Sequence, residues 1–177
     1  DPSNEARVFY DLNRSGNYTD YENAIRPFSC PGQNFVFASK SGDIAIWQQG
    51  KFPARWYGQG TYVMPGIDSN YLWQGFIPQA ENPHALNPEQ GFLQSANQRP
   101  ADSAYPYFIP GNYIVPRGVA IHNKLSVMQQ VTAADMMTLQ NDYYSVFAAA
   151  VVPFLIKNIS VLDLEPDARR YLNIVKT

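Results

Sequence analysis

Two histidines, one cysteine and scattered carboxylates are the side chains from which a catalytic or metal centre would have to be built. His84 and His122 lie far apart, and neither belongs to a His-x-x-x-His spacing that would set two imidazoles on one helical face for a metal. His84 sits in a Pro- and Asn-rich stretch and His122 beside the apolar stripe of a helical pattern, so structural or solvated roles are the plainer reading. Asp163 and Glu165 flank a helix start, where carboxylates suit the positive end of the helix dipole. No Gly-x-Ser-x-Gly elbow, phosphate loop or dinucleotide fingerprint occurs. Cys30 alone supports neither an internal disulfide framework nor a multi-thiolate zinc site, and beside Pro31 it reads as a small buried residue.

Composition narrows the classes further. The 177 residues are 45% hydrophobic and 16% charged, enough apolar material for one core and too little charge for a disordered tail. A net charge of -2 supplies no basic field, and no Lys/Arg stripe interleaves with the aromatics, so a nucleic-acid partner is not expected. Asp1-Pro2-Ser3-Asn4-Glu5 is polar where a secretory signal would need a basic and then an apolar stretch. The longest apolar run, Val146 to Ile156, is about half of the roughly 20 residues that span a bilayer, and Pro153 interrupts it. No membrane span is expected.

The elements that would position any site follow from periodicity and turn chemistry. Val8, Phe9 and Leu12, then Tyr21, Ala24 and Ile25, suit two helical pieces separated by Ser15-Gly16-Asn17. Residues 34–38 and 44–47 are nearly continuous apolar runs around the turn Ser39-Lys40-Ser41-Gly42-Asp43. That predicts a hairpin buried on both faces, with layers above and below it. The 14 Pro and 11 Gly crowd the stretch from Pro27 to Pro116, which predicts irregular, aromatic-rich structure with short strands such as Gly91 to Ser95. Helices are predicted from Arg117 to Met128, from the N-cap Thr132 through Met136, Leu139, Tyr143, Phe147 and Val151 to a break near Pro153, and from Asp167 to Val175 behind Pro166. The expected organisation is one partial domain over 1–177, with a helical entry at 1–30, a sheet and irregular region at 31–116, and a helical region at 117–177.

Four stretches, in order, carry a resemblance. The first is Pro31-Gly32-Gln33-Asn34-Phe35-Val36-Phe37-Ala38 with Gly42-Asp43-Ile44-Ala45 and Gly50-Lys51-Phe52-Pro53-Ala54-Arg55. The second is Trp73-Gln74-Gly75-Phe76-Ile77-Pro78, and the third Asn87-Pro88-Glu89-Gln90-Gly91-Phe92 with Ala96-Asn97-Gln98-Arg99-Pro100. The fourth is Arg117-Gly118-Val119-Ala120-Ile121 with Leu125, then Leu139-Gln140-Asn141-Asp142. Together they resemble the β-subunit part of the penicillin acylase (penicillin amidase) family of N-terminal-nucleophile hydrolases over about Asp11 to Val175. Ser39 and Asp43 depart from the family's usual Asp and Asn in the turn.

The resemblance implies an α+β chain, part of an αββα sandwich with a central antiparallel hairpin and C-terminal helices. It implies an amide hydrolase acting on an N-acyl small molecule, of the β-lactam side-chain or acyl-homoserine lactone type, in which a freed N-terminal Ser attacks the carbonyl. Asp1 is a poor nucleophile for that role, so this chain alone is expected to be inactive, with the Ser elsewhere in a self-cleaving parent. Asn34, by its own pattern a polar strand-start residue, matches the family's oxyanion-hole Asn, and Arg55 its Arg beside the site. The remaining partners implied are the other parts of the parent polypeptide, and the location periplasmic or extracellular. The chemistry needs no cofactor. A structural calcium is possible in the full protein, but neither Asp43 nor Asp68 has the spacing of a calcium loop, and no metal residue is assigned. The aromatic run from Trp56 to Tyr71 lines an acyl pocket or simply covers the sheet. The alternative class is a non-catalytic binding or scaffold protein that keeps the acylase fold.

Overall fold

The computed structural model describes residues 3–160 and 164–176, in two compact units, Asp1–Tyr113 and Ile114–Thr177. Asp163, read above as flanking a helix start, lies outside the described residues.

In the first unit, helix α1 (Glu5–Leu12) gives way to α2 (Tyr18–Ile25) at the expected turn, because the Asn17 side chain accepts from the Asp20 N–H and starts a new helix. Strands β1 (Gln33–Ala38), β2 (Ile44–Gln49) and β3 (His84–Leu86) form an antiparallel sheet in the order β1-β2-β3, with Phe35 opposite Trp47 and Asn34 opposite Gln48. The hairpin turn closes on the very residues that depart from the family pattern. The Ser39 N–H donates to the Asp43 carbonyl at 2.9 Å, and the Asp43 N–H donates to Ser39 Oγ at 3.0 Å.

Alternation along the strands sends Phe35, Phe37, Ala45 and Trp47 to one face, where they form a core with Val8, Tyr21, Ile25 and Phe28. The Phe28 and Phe35 rings meet edge to face at 4.9 Å, and the Tyr21 hydroxyl donates to the Phe35 carbonyl at 2.9 Å, tying helix to sheet. Burial on both faces is met on this face only, among the described residues: on the other, Val36 is 72% exposed. β1 is likewise an edge strand here, with Asn34 exposed at its start, rather than a buried central strand.

Two buried amides join the ends of these elements. Gln49 Nε2 donates to the carbonyls of Ile25 and Arg26 where α2 ends, Ile25 also accepting from the Phe28 N–H. Asn82 Nδ2 in turn donates to Gln49 Oε1 and to the Gly50 carbonyl. The motif stretches are thereby brought side by side. Phe52–Ala54 pairs with Gly75–Ile77 through Ala54 N–H to Gly75 O at 2.9 Å and Ile77 N–H to Phe52 O at 2.8 Å. Asn87 holds β2 by exchanging backbone and side-chain bonds with Ile44.

Two further expectations fail in this unit. Residues 91–95 are not a strand, since positive φ at Asn87 (46°), Gly91 (75°) and Asn97 (63°) keeps this segment turning. Cys30 is exposed, not buried.

The second unit is helical: α3 (Val115–Leu125), α4 (Ala133–Gln140), α5 (Val146–Asn158) and α6 (Pro166–Lys176). Thr132 caps α4 in a full capping box with Asp135, as its spacing predicts. The long helix predicted through Tyr143 is two helices. Asn141 Nδ2 turns back to the Met137 carbonyl, Asp142 accepts from the Tyr144 N–H, and Ser145 caps α5 through the Ala148 N–H, so polar side chains take over backbone bonds that would continue the helix. Nor does Pro153 end α5, which runs five residues beyond it to Asn158; a proline inside a helix removes one i→i−4 bond, and the rest of the ladder persists. Among the described residues no helix is long and apolar enough to cross a membrane.

Candidate functional site

Asn34 lies on the sheet face turned away from α1 and α2, and its Nδ2 donates to Ser95 Oγ at 2.8 Å across 61 residues of sequence. It opens on a cleft of about 300 Å³ whose walls include Gln48, Phe52, Ser95, Asn97 and Tyr113. Among the described residues lining the cleft, none carries a charge. Asn97 holds φ at +63°, a conformation that Asn tolerates better than most side chains. The Ala96 N–H and the Gln98 side chain brace this turn, with Gln98 Oε1 accepting from Ala96 at 2.6 Å.

Phe52 and Tyr113 are held by glycines. A methyl group at Gly32 would lie 2.6 Å from the Phe52 ring, and one at Gly50 would lie 3.2 Å from it. A methyl at Gly111 would come within 2.9 Å of the Tyr113 ring. The Tyr113 hydroxyl donates to the carbonyl of Ile109 at 3.1 Å, and burial pushes its pKa up against the opposing pull of Arg99.

Arg55 is not among the residues lining this cleft. Its guanidinium carbon stands 5.7 Å from the centre of the Trp73 ring, and Nη1 packs where a side chain at Gly60 would have to go. The two residues singled out by resemblance therefore occupy separate settings, one in the cleft and one on an aromatic ledge.

Other candidates resolve into structural roles. The His84 ring stacks on Trp47 at 4.0 Å, and its Nδ1 lies 2.7 Å from the Asn82 carbonyl, which requires a proton on that nitrogen. The Asp43 carboxylate accepts from Asn87 and Ser41, and Asp68 accepts from the Asn70 N–H. Among the described residues no three His, Cys, Asp or Glu side chains gather.

Asn97, Phe52 and Tyr113 escape periodicity, and Ser95 is read only as the end of a short strand. The available signals are that Phe52 sits inside the Gly50–Arg55 motif and Asn97 inside the Ala96–Pro100 motif, in a Gly- and Asn-punctuated stretch that favours turns.

The penicillin amidase family profile fits residues 1–176. An acyl-homoserine lactone acylase QuiP of Pseudomonas syringae pv. tomato is 30% identical over 169 residues, which cover 92% of this chain and 20% of that protein. The penicillin acylase 2 proenzyme of Pseudomonas sp. (strain SE83) is 26% identical over 86 residues, 49% of this chain and 11% of that protein. Among solved structures, a thermostable penicillin G acylase from Alcaligenes faecalis superposes with a TM-score of 0.66 at 18% identity, over 96% of this chain and 31% of that one. At that identity the match shows the fold alone. The chain spans about a fifth of the curated relatives, at 20% and 17% of their lengths.

Proposed function

The chain belongs to the penicillin amidase family, and from that membership we propose that it is a segment of the nucleophile-bearing part of an amide hydrolase acting on an N-acyl small molecule. The observation that carries the reading is the cleft at Asn34, where two of the four family-like stretches, the first and the third, converge on an uncharged, amide-rich wall. In this reading a hydroxyl nucleophile from elsewhere in the parent attacks the amide carbonyl, and the chain stabilises the oxyanion that forms.

Asn34 is the proposed donor. An amide NH2 carries two protons; one goes to Ser95 Oγ, which fixes the side chain, and the other is directed at the developing negative charge. A donor of this kind is worth on the order of a hundred- to a thousandfold in turnover. Arg55, anchored on Trp73, is the proposed positioning group for the nucleophile end. The chemistry needs no cofactor, and no residue of this chain is assigned to a metal. Self-cleavage of a precursor, one partial domain over the 177 residues, and an exported location complete the proposal.

A second donor reading rests on Asn97, a non-glycine residue at positive φ on the same cleft. Uncommon backbone conformations gather at active sites. The test is hydrolysis by the full-length parent carrying Asn34→Ala or Asn97→Ala. Asn34→Ala is expected to lower kcat on the order of a hundred- to a thousandfold with KM little changed. If Asn97→Ala does so instead, the role passes to Asn97. If neither variant loses turnover, the cleft is not the oxyanion site, and a parent that hydrolyses no amide is a binding protein on this fold.

A further inference from the structure

We propose that Ser95 and Gln98 are positioning residues for the Asn34 amide, Ser95 holding the side chain and Gln98 holding Ser95. The proposal rests on the reading of Asn34 as the oxyanion donor. Pairing with Gln48 across the hairpin fixes the Asn34 backbone and leaves its side chain to be fixed by other means. The last torsion of an Asn is broad and roughly two-fold, so the amide can offer the cleft either its NH2 or its carbonyl oxygen. The NH2 stabilises an oxyanion, whereas the carbonyl oxygen sets a partial negative charge against it. Asn34 is exposed at the start of an edge strand, and the bond from its Nδ2 to Ser95 Oγ at 2.8 Å restricts that rotation.

Ser95 belongs to a segment that is neither helix nor strand, so no regular ladder of backbone bonds holds it in place. Gln98 supplies the support. Its Oε1 accepts from the Ala96 N–H at 2.6 Å and its Nε2 donates to the Gln94 carbonyl at 3.3 Å, so one side-chain amide bonds the residue before Ser95 and the residue after it. Asn97, at φ +63°, turns the chain so that the Gln98 side chain reaches back over the turn. Ala96, buried at 5% exposure, pins the same turn to the body of the unit. Support therefore runs from Gln98 through the backbone of residues 94–96 to Ser95 and on to Asn34. A loosened link anywhere along it reaches the cleft as a displaced donor, and small displacements of catalytic groups are costly in rate.

Steady-state kinetics of the full-length parent on p-nitroanilides from acetyl to octanoyl, followed by p-nitroaniline release from whichever is cleaved fastest, test this. Ser95→Ala and Gln98→Ala are each expected to lower kcat on the order of tenfold with KM little changed. The loss is smaller than for Asn34→Ala because the donor is displaced and not deleted. Ser95→Thr, which keeps the hydroxyl, is expected to restore most of the kcat lost in Ser95→Ala. Combined with Asn34→Ala, neither Ser95→Ala nor Gln98→Ala is expected to lower kcat further, since each acts through the amide already removed. Further loss in those pairs marks a general effect on the fold and overturns the proposal, as does an unchanged kcat in either single variant or a failure of Ser95→Thr to restore it. The two readings fail separately. A parent that loses turnover with Asn34→Ala and keeps it with Ser95→Ala and Gln98→Ala removes this inference alone. One that cleaves none of the amides, or keeps its turnover with Asn34→Ala, removes the oxyanion reading and this inference with it.

Discussion

Tyr21 shows how one residue can set the pH response of the helix-sheet core. Its hydroxyl is buried and donates to the Phe35 carbonyl, so the neutral phenol is the form the fold accepts. Burial holds its pKa well above the ordinary value of about 10, with the nearby Tyr18 adding to the rise. A phenol whose folded pKa is raised favours folding fully below the unfolded value, and that contribution is lost as pH rises above it. Tyr105, pushed up to about 12 by burial and then by Tyr107, acts in the same direction. Thermal melts are therefore expected to change little between pH 7 and about 9 on account of these groups and to fall above about 10. Tyr21→Phe is expected to cost about 1 kcal/mol at neutral pH and to make the alkaline fall shallower. An unchanged alkaline limb in that variant would detach the effect from Tyr21.

At the scale of elements, the capped starts were the most readable features. Thr132 shares its hydroxyl and backbone N–H with Asp135, and the spacing alone announces this. Thr132→Ala is expected to destabilise α4 by about 1 kcal/mol, seen as reduced helical circular dichroism and a lower urea midpoint. The hairpin and the paired N-terminal helices were legible for a similar reason: apolar runs, turn residues and an Asn N-cap act over a few neighbouring positions. What escaped the sequence depends on distant partners. The turn at 141–145 lies within an apolar pattern that suits one helix, and only the bonds of Asn141, Asp142 and Ser145 show which competing arrangement prevails. Residues 91–95 look extended, yet the segment turns to place Ser95 against Asn34, 61 residues away. The cleft itself was partly legible: Asn34, Phe52 and the Asn97 motif carry the family pattern, whereas Tyr113 is held over a glycine, a pairing that periodicity does not reveal.

At the scale of the whole molecule, α5 is the feature that sets this chain apart from a self-sufficient domain. Val146–Asn158 is almost entirely apolar, yet Phe147, Phe154 and Leu155 are 61%, 67% and 46% exposed. A helix apolar on all sides ordinarily lies inside a larger core, and a chain that spans about a fifth of its relatives, at 20% of one of them, leaves ample sequence to form that core. The 177 residues produced alone are expected to bind a hydrophobic dye such as ANS and to self-associate on size-exclusion chromatography. Phe147→Glu with Phe154→Glu is expected to reduce both, and no dye binding by the unmodified chain would refute the assignment of α5 as the sticky surface. A different kind of durability belongs to the buried amide bridge of Gln49 and Asn82. Asparagines age by attack of the next residue's backbone nitrogen on the side-chain amide, which turns the donor into a carboxylate. The residue after Asn82 is Pro83, whose nitrogen bears no hydrogen. The amide that joins the end of β2 to its neighbours is thus shielded from that chemical clock by the residue beside it, as well as by its burial.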